Sequence, residues 1–390
     1  MEFVSGLTIN HEHISPFSLI QAVFAILVVF SLALAVLLIR KWSKLEIIEP
    51  VIGDNSGLMQ MTIVLPTWNE EKVIESKLNN IYSQNYPKHL VEVIVIDSAS
   101  TDSTVDIVNR WLAEMGLVGD SRFRIIEEGE RRGKSVSINR AFSEAHPQSE
   151  ILMMSDIDCR LGENSLIRLA SWFNDDSIGA VTGRQVLINS GISRKASEEE
   201  SYRDFYSRMR ISETKLHSTP IFHGECSAYR RKALEGHKLV ENANADDSQM
   251  AVSVVRSGYR SVYDPGTIFF EMAPPDATSS RIQKVRRAQG LVRHFWRNKG
   301  MIFDGKYGNF RKIMALELNL HILVPIFVLL GFISGFAHIF ESINSLGSDP
   351  ATFLDFPLIE KIMLSADILV LILLFSGLAG IPVPGGRTSL

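Results

Sequence analysis

A chain of 390 residues holds one large domain with an addition, or two ordinary domains. Its apolar share of 46% is high for a water-soluble protein, and a net charge of -4 gives no reason to expect a nucleic-acid partner. Its two cysteines, Cys159 and Cys226, lie in segments of different character. No disulfide framework follows, and a reducing, cytosolic setting is the default for the polar part.

Residues 1–16 contain no lysine or arginine, and Phe17 to Ile39 then runs without a charge. As a helix rising about 1.5 Å per residue, that run covers roughly 30 Å, the thickness of a hydrocarbon core. A cleaved signal peptide is the competing reading. The run is too long for one, no basic residue precedes it, and no small-x-small site follows. A first transmembrane helix over 17–39 is therefore expected.

From Leu58 the pattern changes to short apolar runs alternating with amphipathic stretches. Met61–Leu65, Val91–Ile96, Phe123–Ile126 and Ile151–Met154 read as buried strands. Glu70–Tyr82, Asp102–Met115 and Lys134–Ala145 read as helices between them. The alternation predicts an α/β domain over 58–280, a Rossmann-like, mostly parallel sheet with helices on both faces. Ligands bind such sheets at the carboxyl ends of the strands.

Those ends are rich in acids and hydroxyls. The first strand is followed by Pro66-Thr67-Trp68-Asn69-Glu70-Glu71 and the second by Asp97-Ser98-Ala99-Ser100-Thr101-Asp102-Ser103-Thr104. The fourth leads into Ser155-Asp156-Ile157-Asp158. One such cluster is commonly a helix cap; three on one sheet edge are harder to dismiss. Asp156 and Asp158 suit a hard divalent cation that also binds phosphate oxygens and neutralises a diphosphate leaving group. Glu130-Arg131-Arg132-Gly133-Lys134 reads either as a diphosphate clamp at a helix N-terminus or as a solvated charged turn. Asp246 and Asp247 precede the apolar run Met250–Val255; they are either helix caps or the source of a carboxylate base for an attacking hydroxyl.

Arg281 to Lys299 is dense in arginine and lysine, interleaved with apolar residues such as Ile282, Val285 and Trp296. A basic amphipathic helix over 281–312 is expected in the interfacial plane of a membrane, or on a polyanion. Leu318–Phe340 and Ile362–Ile381 are two further candidate spans, with buried core helices as the alternative. Asp367, in the early turns of the last, is expected to reach the interface or a neighbouring helix. Arg40, Lys41 and Lys44 follow the first span, and Lys306, Arg311 and Lys312 precede the second. That asymmetry predicts a multi-pass protein of the cell membrane, its N-terminus outside and the stretch from Arg40 to Lys312 cytosolic.

In order, Pro66-x-x-Asn69-Glu70, Asp97-x-x-Ser100-x-Asp102-x-Thr104, Arg132-Gly133-Lys134-x-x-x-x-Asn139, Asp156-x-Asp158, Asp246-Asp247 and Gln283-x-x-Arg286-Arg287 resemble the motifs of family 2 glycosyltransferases, inverting enzymes of GT-A fold. The resemblance covers Leu58 to Lys299. It implies a nucleotide-diphosphate sugar donor, with uracil the commonest base in the family. Pro66, Thr67, Glu70 and Asp97 would then line the nucleoside, with Lys134 near the nucleotide. Asp156 and Asp158 would hold ribose, diphosphate and Mg2+ or Mn2+, and Asp247 would be the general base. Gly224, Asp246, Gln283, Arg286 and Arg287 would border acceptor and diphosphate, and the acceptor would be lipid-linked or a glycan.

Processive members carry tryptophan where Arg287 stands, and generally have more spans. A single transfer to a lipid-linked sugar is the expected reading, with processive polymer synthesis the alternative. Two remoter rivals are an aspartate-nucleophile phosphatase and a non-catalytic receptor for nucleotide sugars or lipids. The first places its Asp-x-Asp on the first strand rather than the fourth. The second has no need to keep acids at both Asp158 and Asp247.

Overall fold

The computed structural model describes residues 14–46, 49–50, 57–188, 194–240, 245–272, 277–346, 356, 358 and 360–368. The chain divides into two compact units, 36–318 and 1–35 with 319–390.

In the larger unit the four expected strands form with nearly the expected bounds: β1 (Met61–Thr67), β2 (Val91–Asp97), β3 (Phe123–Glu127) and β4 (Ile151–Met154). They lie parallel in the order β3-β2-β1-β4. Every residue of β2 and β4 is buried, as continuous Val/Ile/Leu/Met runs require when both faces of a parallel sheet are covered. Ile63, Leu65, Val93 and Val95 pack on one face with Leu78, Val108 and Trp111. Val64, Ile94 and Ile96 pack on the other with Ile138, Ala141 and Val254. Period-two alternation thus feeds two cores, and truncating a residue such as Ile94 to alanine would cost about 2–5 kcal/mol.

In chain order the helices are α1 (Pro16–Ser43), α2 (Ile74–Tyr82), α3 (Thr104–Glu114), α4 (Lys134–Glu144), α5 (Ser165–Ser171), α6 (Arg194–Leu216), α7 (Asp246–Arg256), α8 (Ala277–Asn298), α9 (Phe310–Leu318) and α10 (Val324–Leu346). Four further strands complete the sheet: β5 (Arg160–Leu161), β6 (Ile178–Leu187), β7 (Ser227–Arg230) and β8 (Arg260–Glu271), in the overall order β3-β2-β1-β4-β7-β6-β8-β5. Here the mostly parallel expectation needs correction. β7 runs antiparallel to both β4 and β6, and β5 antiparallel to β8, so the sheet is mixed. The reversal matters for the site. Ser227, at the start of β7, pairs with Met154, at the end of β4, so the loop before β7 lies beside the loop after β4.

Helix α2 begins at Ile74, four residues later than expected, because Asn69 turns into the left-handed region (φ 57) and the Glu70 and Glu71 amides bond to side chains of the neighbouring loop. Pro66 is tolerated inside a central strand because the ladder to β4 ends at Val64, leaving no bond for its missing N–H to break. In β6, Gly183 lies at a register shift against β8, and a Cβ there would come within 2.4 Å of the Thr267 carbonyl oxygen.

In the smaller unit, two helices are long and apolar enough to cross a membrane: Pro16–Ser43, with mean hydropathy 3.2, and the helix running Phe310–Asn344, at 2.3. The first extends into the larger unit at its end, the second at its beginning. A π-turn at Asn319–Leu323 precedes α10, where Pro325 lacks the N–H that would bond the His321 carbonyl. Of the third expected span, 362–381, residues 362–368 are helical and 369–381 lie outside the described residues. Asp367 does reach its neighbours: it accepts from Gln21 and lies 3.0 Å from Nδ1 of His338, whose Nε2 is 2.7 Å from Glu360.

Candidate active site

The loops after β1 and β2 are tied together by the motif residues themselves. Ser100 Oγ accepts from the Asn69 amide (2.8 Å), Thr104 Oγ1 from the Glu70 amide (2.8 Å), and Asn69 Oδ1 from the Thr101 amide (2.8 Å). Asp97, only 2% exposed, accepts from Thr67 Oγ1 (3.1 Å), the Ser100 amide (2.8 Å) and Ser100 Oγ (2.5 Å). Its carboxylate is therefore largely spent on bracing the edge. Asn69 and Ala99 both have φ 57, and Ala245, just before α7, has φ 67. Left-handed residues without glycine cost about 1 kcal/mol or more each, and here they gather at the strand-end loops.

Beyond that frame lies a cluster of carboxylates around one lysine. Gly133, with φ 94, starts α4 and sends Lys134 into the cluster, where Nζ meets Asp156 at 2.5 Å. Burial opposes the Lys134 charge, but Asp156, Asp246 and Glu225 outweigh it and hold the pKa above lysine's usual value. The neighbouring cations point elsewhere: Arg131 stacks on Trp68 at 3.4 Å and Arg132 pairs with Glu130 at 3.0 Å. Partial burial and the charge of Asp156 raise the Asp158 carboxyl; burial, Asp158, Asp156 and Asp102 raise Glu70.

The reversed β7 brings in the His223–Cys226 turn. Gly224 faces the lysine pair, so that a Cβ would sit 3.5 Å from Lys134 Nζ and 3.9 Å from Asp156 Oδ2. Asp246 accepts from Ser135 Oγ on α4 at 2.7 Å, and Asp247, in the first turn of α7, accepts from the Ser248 amide at 2.8 Å. Burial and the charge of Glu225 push the Asp247 carboxyl up to about 7. From α8, Arg286 acts on Asp246 and Arg287 on Glu225 and Glu271. Glu70, Lys134, Asp156, Asp158, Gly224, Asp246, Asp247, Arg286 and Arg287 are thus drawn into one neighbourhood. Pro66, Thr67 and Asp97 sit at its rim. Gln283 is not drawn in: it is exposed and makes no hydrogen bond with the described residues.

Three contributors escape sequence reasoning. Glu225 and Glu271 join the cluster only through the antiparallel β7 and the end of β8. Lys77 is 0% exposed and supports the Asp156–Asp158 turn from beneath, donating to Ser155 Oγ (2.8 Å), the Cys159 carbonyl (3.0 Å) and Cys159 Sγ (3.1 Å). A lysine on an otherwise apolar helix face is the available signal, and it reads equally well as a solvated residue. Charged hydrogen bonds contribute about 1.5–3 kcal/mol each, so Lys77→Met should lower stability by about 2–4 kcal/mol, measured by urea unfolding. Asn139 bonds both backbone groups of Leu239 (2.9 and 3.0 Å) and so fixes the approach to α7.

The raised acids set a pH dependence for stability. The Asp247 carboxyl lies near 7 and that of Glu271, raised by burial and Glu225, near 8, both above their unfolded values. Such groups stabilise the fold most at low pH and lose that contribution as pH rises through the folded values. The melting temperature should therefore fall from about pH 4.5, where these carboxyls ionise in the unfolded chain, to about pH 8, where they ionise in the folded one, and Asp247→Asn should flatten that slope.

Among the described residues, no three His, Cys, Asp or Glu side chains converge closely enough to hold a metal ion alone. Asp156 and Asp158 are hard oxygen donors that repel each other. Such a set fits a divalent cation whose coordination is completed by substrate phosphates, rather than a cage built wholly of protein.

Residues 62–237 match the family described as Glycosyl transferase family 2, and residues 151–381 match Glycosyl transferase family group 2. The chain is 27% identical over 246 residues to the probable glycosyltransferase YdaM of Bacillus subtilis, covering 60% of this chain and 55% of that protein. It is 24% identical over 257 residues to an N-acetylglucosaminyltransferase of Rhizobium meliloti, covering 63% and 58%. The chain thus spans little more than half the length of these relatives. Among solved structures, the mannosyltransferase PcManGT from Pyrobaculum calidifontis, in complex with GDP-Man and Mn2+, superposes with a TM-score of 0.71 at 28% identity, over 93% of this chain and 99% of that one. With a matched family model spanning more than half its length, the chain belongs to the family 2 glycosyltransferases and has their GT-A-like fold.

Proposed function

We propose that this glycosyltransferase moves a sugar from a nucleoside-diphosphate sugar, with inversion, onto a hydroxyl of a lipid-linked or glycan acceptor at the cytosolic face of the membrane. The observation that carries this reading is the gathering of Lys134, Asp156 and Asp158 with Asp247 at one sheet edge. Lys134 screens the diphosphate, and Arg286 and Arg287 add positive charge from α8. Glu70 and Thr67 border the nucleoside, while Asp97 shapes that border by holding the Ser98–Ser100 turn. Asp158, aided by Asp156, would hold a divalent cation. When bound, that ion supplies Lewis-acid stabilisation of the departing diphosphate. Asp247, with a pKa near 7, removes the proton of the acceptor hydroxyl as it attacks the anomeric carbon. Gly224 leaves space for a sugar ring before Lys134.

Family resemblance favours a uracil nucleotide; the likeness to a mannosyltransferase bound to GDP-Man and Mn2+ supports GDP-mannose as a first donor to try. Two apolar helices support membrane anchoring. So does α8, where Ile282, Val285 and Trp296 are 49–63% exposed on one stripe flanked by arginines and lysines. Single transfer is favoured over processive synthesis because Arg287 stands where processive members carry tryptophan. Membranes containing the protein, given radiolabelled GDP-mannose, UDP-glucose and UDP-N-acetylglucosamine in turn, should incorporate one label into a lipid or glycan fraction. Release of no nucleoside diphosphate from any donor would refute the proposal.

A further inference from the structure

The β6–β8 pair carries polar groups that the chemistry above does not use. Gln185 pairs in register with Phe269, and Leu187 with Glu271, so period-two alternation puts all four on one face. Phe269 packs edge-on against His223 at 5.5 Å, which links that face to the turn presenting Gly224 and Glu225. Gln185 is 7% exposed, and neither its Oε1 nor its Nε2 has a hydrogen-bond partner among the described residues. Glu271 Oε2 is buried and accepts no hydrogen bond among the described residues, and it forms an ion pair with Arg203 Nη1 at 3.7 Å. Buried polar atoms are nearly always satisfied, so the two unpaired atoms of Gln185, with a Glu271 oxygen that accepts no hydrogen bond beside them, point to a ligand that completes them.

We propose that Gln185 and Glu271, with Glu225, form a subsite that binds the ring hydroxyls of a pyranose, the terminal sugar of the acceptor. The assignment rests on the glycosyl-transfer reading of the neighbouring acids. An amide offers a donor and an acceptor together, as a hydroxyl requires of its partner. The subsite adjoins Asp247 through Glu225, which puts the bound sugar within the neighbourhood of the base.

The test follows nucleoside diphosphate release from the active donor, stimulated by octyl glycosides of glucose, mannose or N-acetylglucosamine. At least one glycoside should stimulate the wild-type protein in a saturable way. Gln185→Met and Glu271→Gln should each raise its half-saturating concentration about tenfold or more. Affinity for the nucleoside diphosphate alone should stay within about twofold, and Gln185→Met should melt no lower than wild type, since it replaces an unpaired buried amide with an apolar group of similar length. Unchanged half-saturation in both variants overturns the subsite. So does stimulation of the wild type by a polyprenyl phosphate and by none of the glycosides. Absence of diphosphate release from every donor is instead the failure of the transfer reading, and the subsite falls with it. Should Gln185→Met not fold, Glu271→Gln decides alone.

Discussion

Replacing Asp247 with asparagine should lower kcat by about 10^2- to 10^4-fold, the range that a positioned general base supplies. The substitution is nearly isosteric and keeps an oxygen able to accept from the Ser248 amide, so the first turn of α7 should be retained. Nucleoside diphosphate binding should stay near wild type, because Lys134 and Asp156 are untouched. The wild-type kcat/KM should rise with pH to an apparent pKa near 7, the value to which burial and Glu225 bring this carboxyl. Residual activity of the variant should lack that limb. Equal turnover by wild type and variant would remove Asp247 from the base role. A limb that persists in the variant would assign it to another group, with Glu271 the next candidate.

The second large effect concerns Asp158. Its substitution by asparagine, or removal of divalent ions by chelation, should each reduce transfer by about 10^2- to 10^3-fold, the several kcal/mol that a Lewis acid contributes at a leaving diphosphate. Unlike Asp156, which pairs with Lys134 at 2.5 Å, Asp158 makes no ion pair among the described residues. Its loss should therefore leave the cluster's internal structure nearly intact. The two treatments should not add: chelation should barely lower the activity of Asp158→Asn further. Full additivity would mean that Asp158 and the ion act at different places.

The parallel half of the fold was legible because its strands are continuous apolar runs that end in turn residues. Met61–Leu65 and Val91–Ile96 differ from the observed strands by one or two residues at their ends. The second half was not. β6 and β8 mix glycine and polar residues into their runs and are interrupted by a register shift near Gly183, which blurs both the run and the period. Nothing in local sequence shows that β7 is reversed, yet that reversal brings Gly224 and Glu225 to Asp156. Motif residues were read by chemistry, and the structure divides them by task. Asn69, Ser100, Thr104 and Asn139 lace loops together, while Lys134 and Asp156 face the site. Lys77, Gln185 and Glu271 depend on burial and register, which spacing along the chain does not reveal.

Anomalous scattering from Mn2+, in crystals of the full chain soaked with the ion and the active nucleoside diphosphate, tests the central claim most directly. The expected result is a single strong peak against Asp158, with the diphosphate beside it and within reach of Lys134, on the edge that also carries Asp247. A diphosphate bound away from Lys134, or a peak distant from the β4 end, would contradict it.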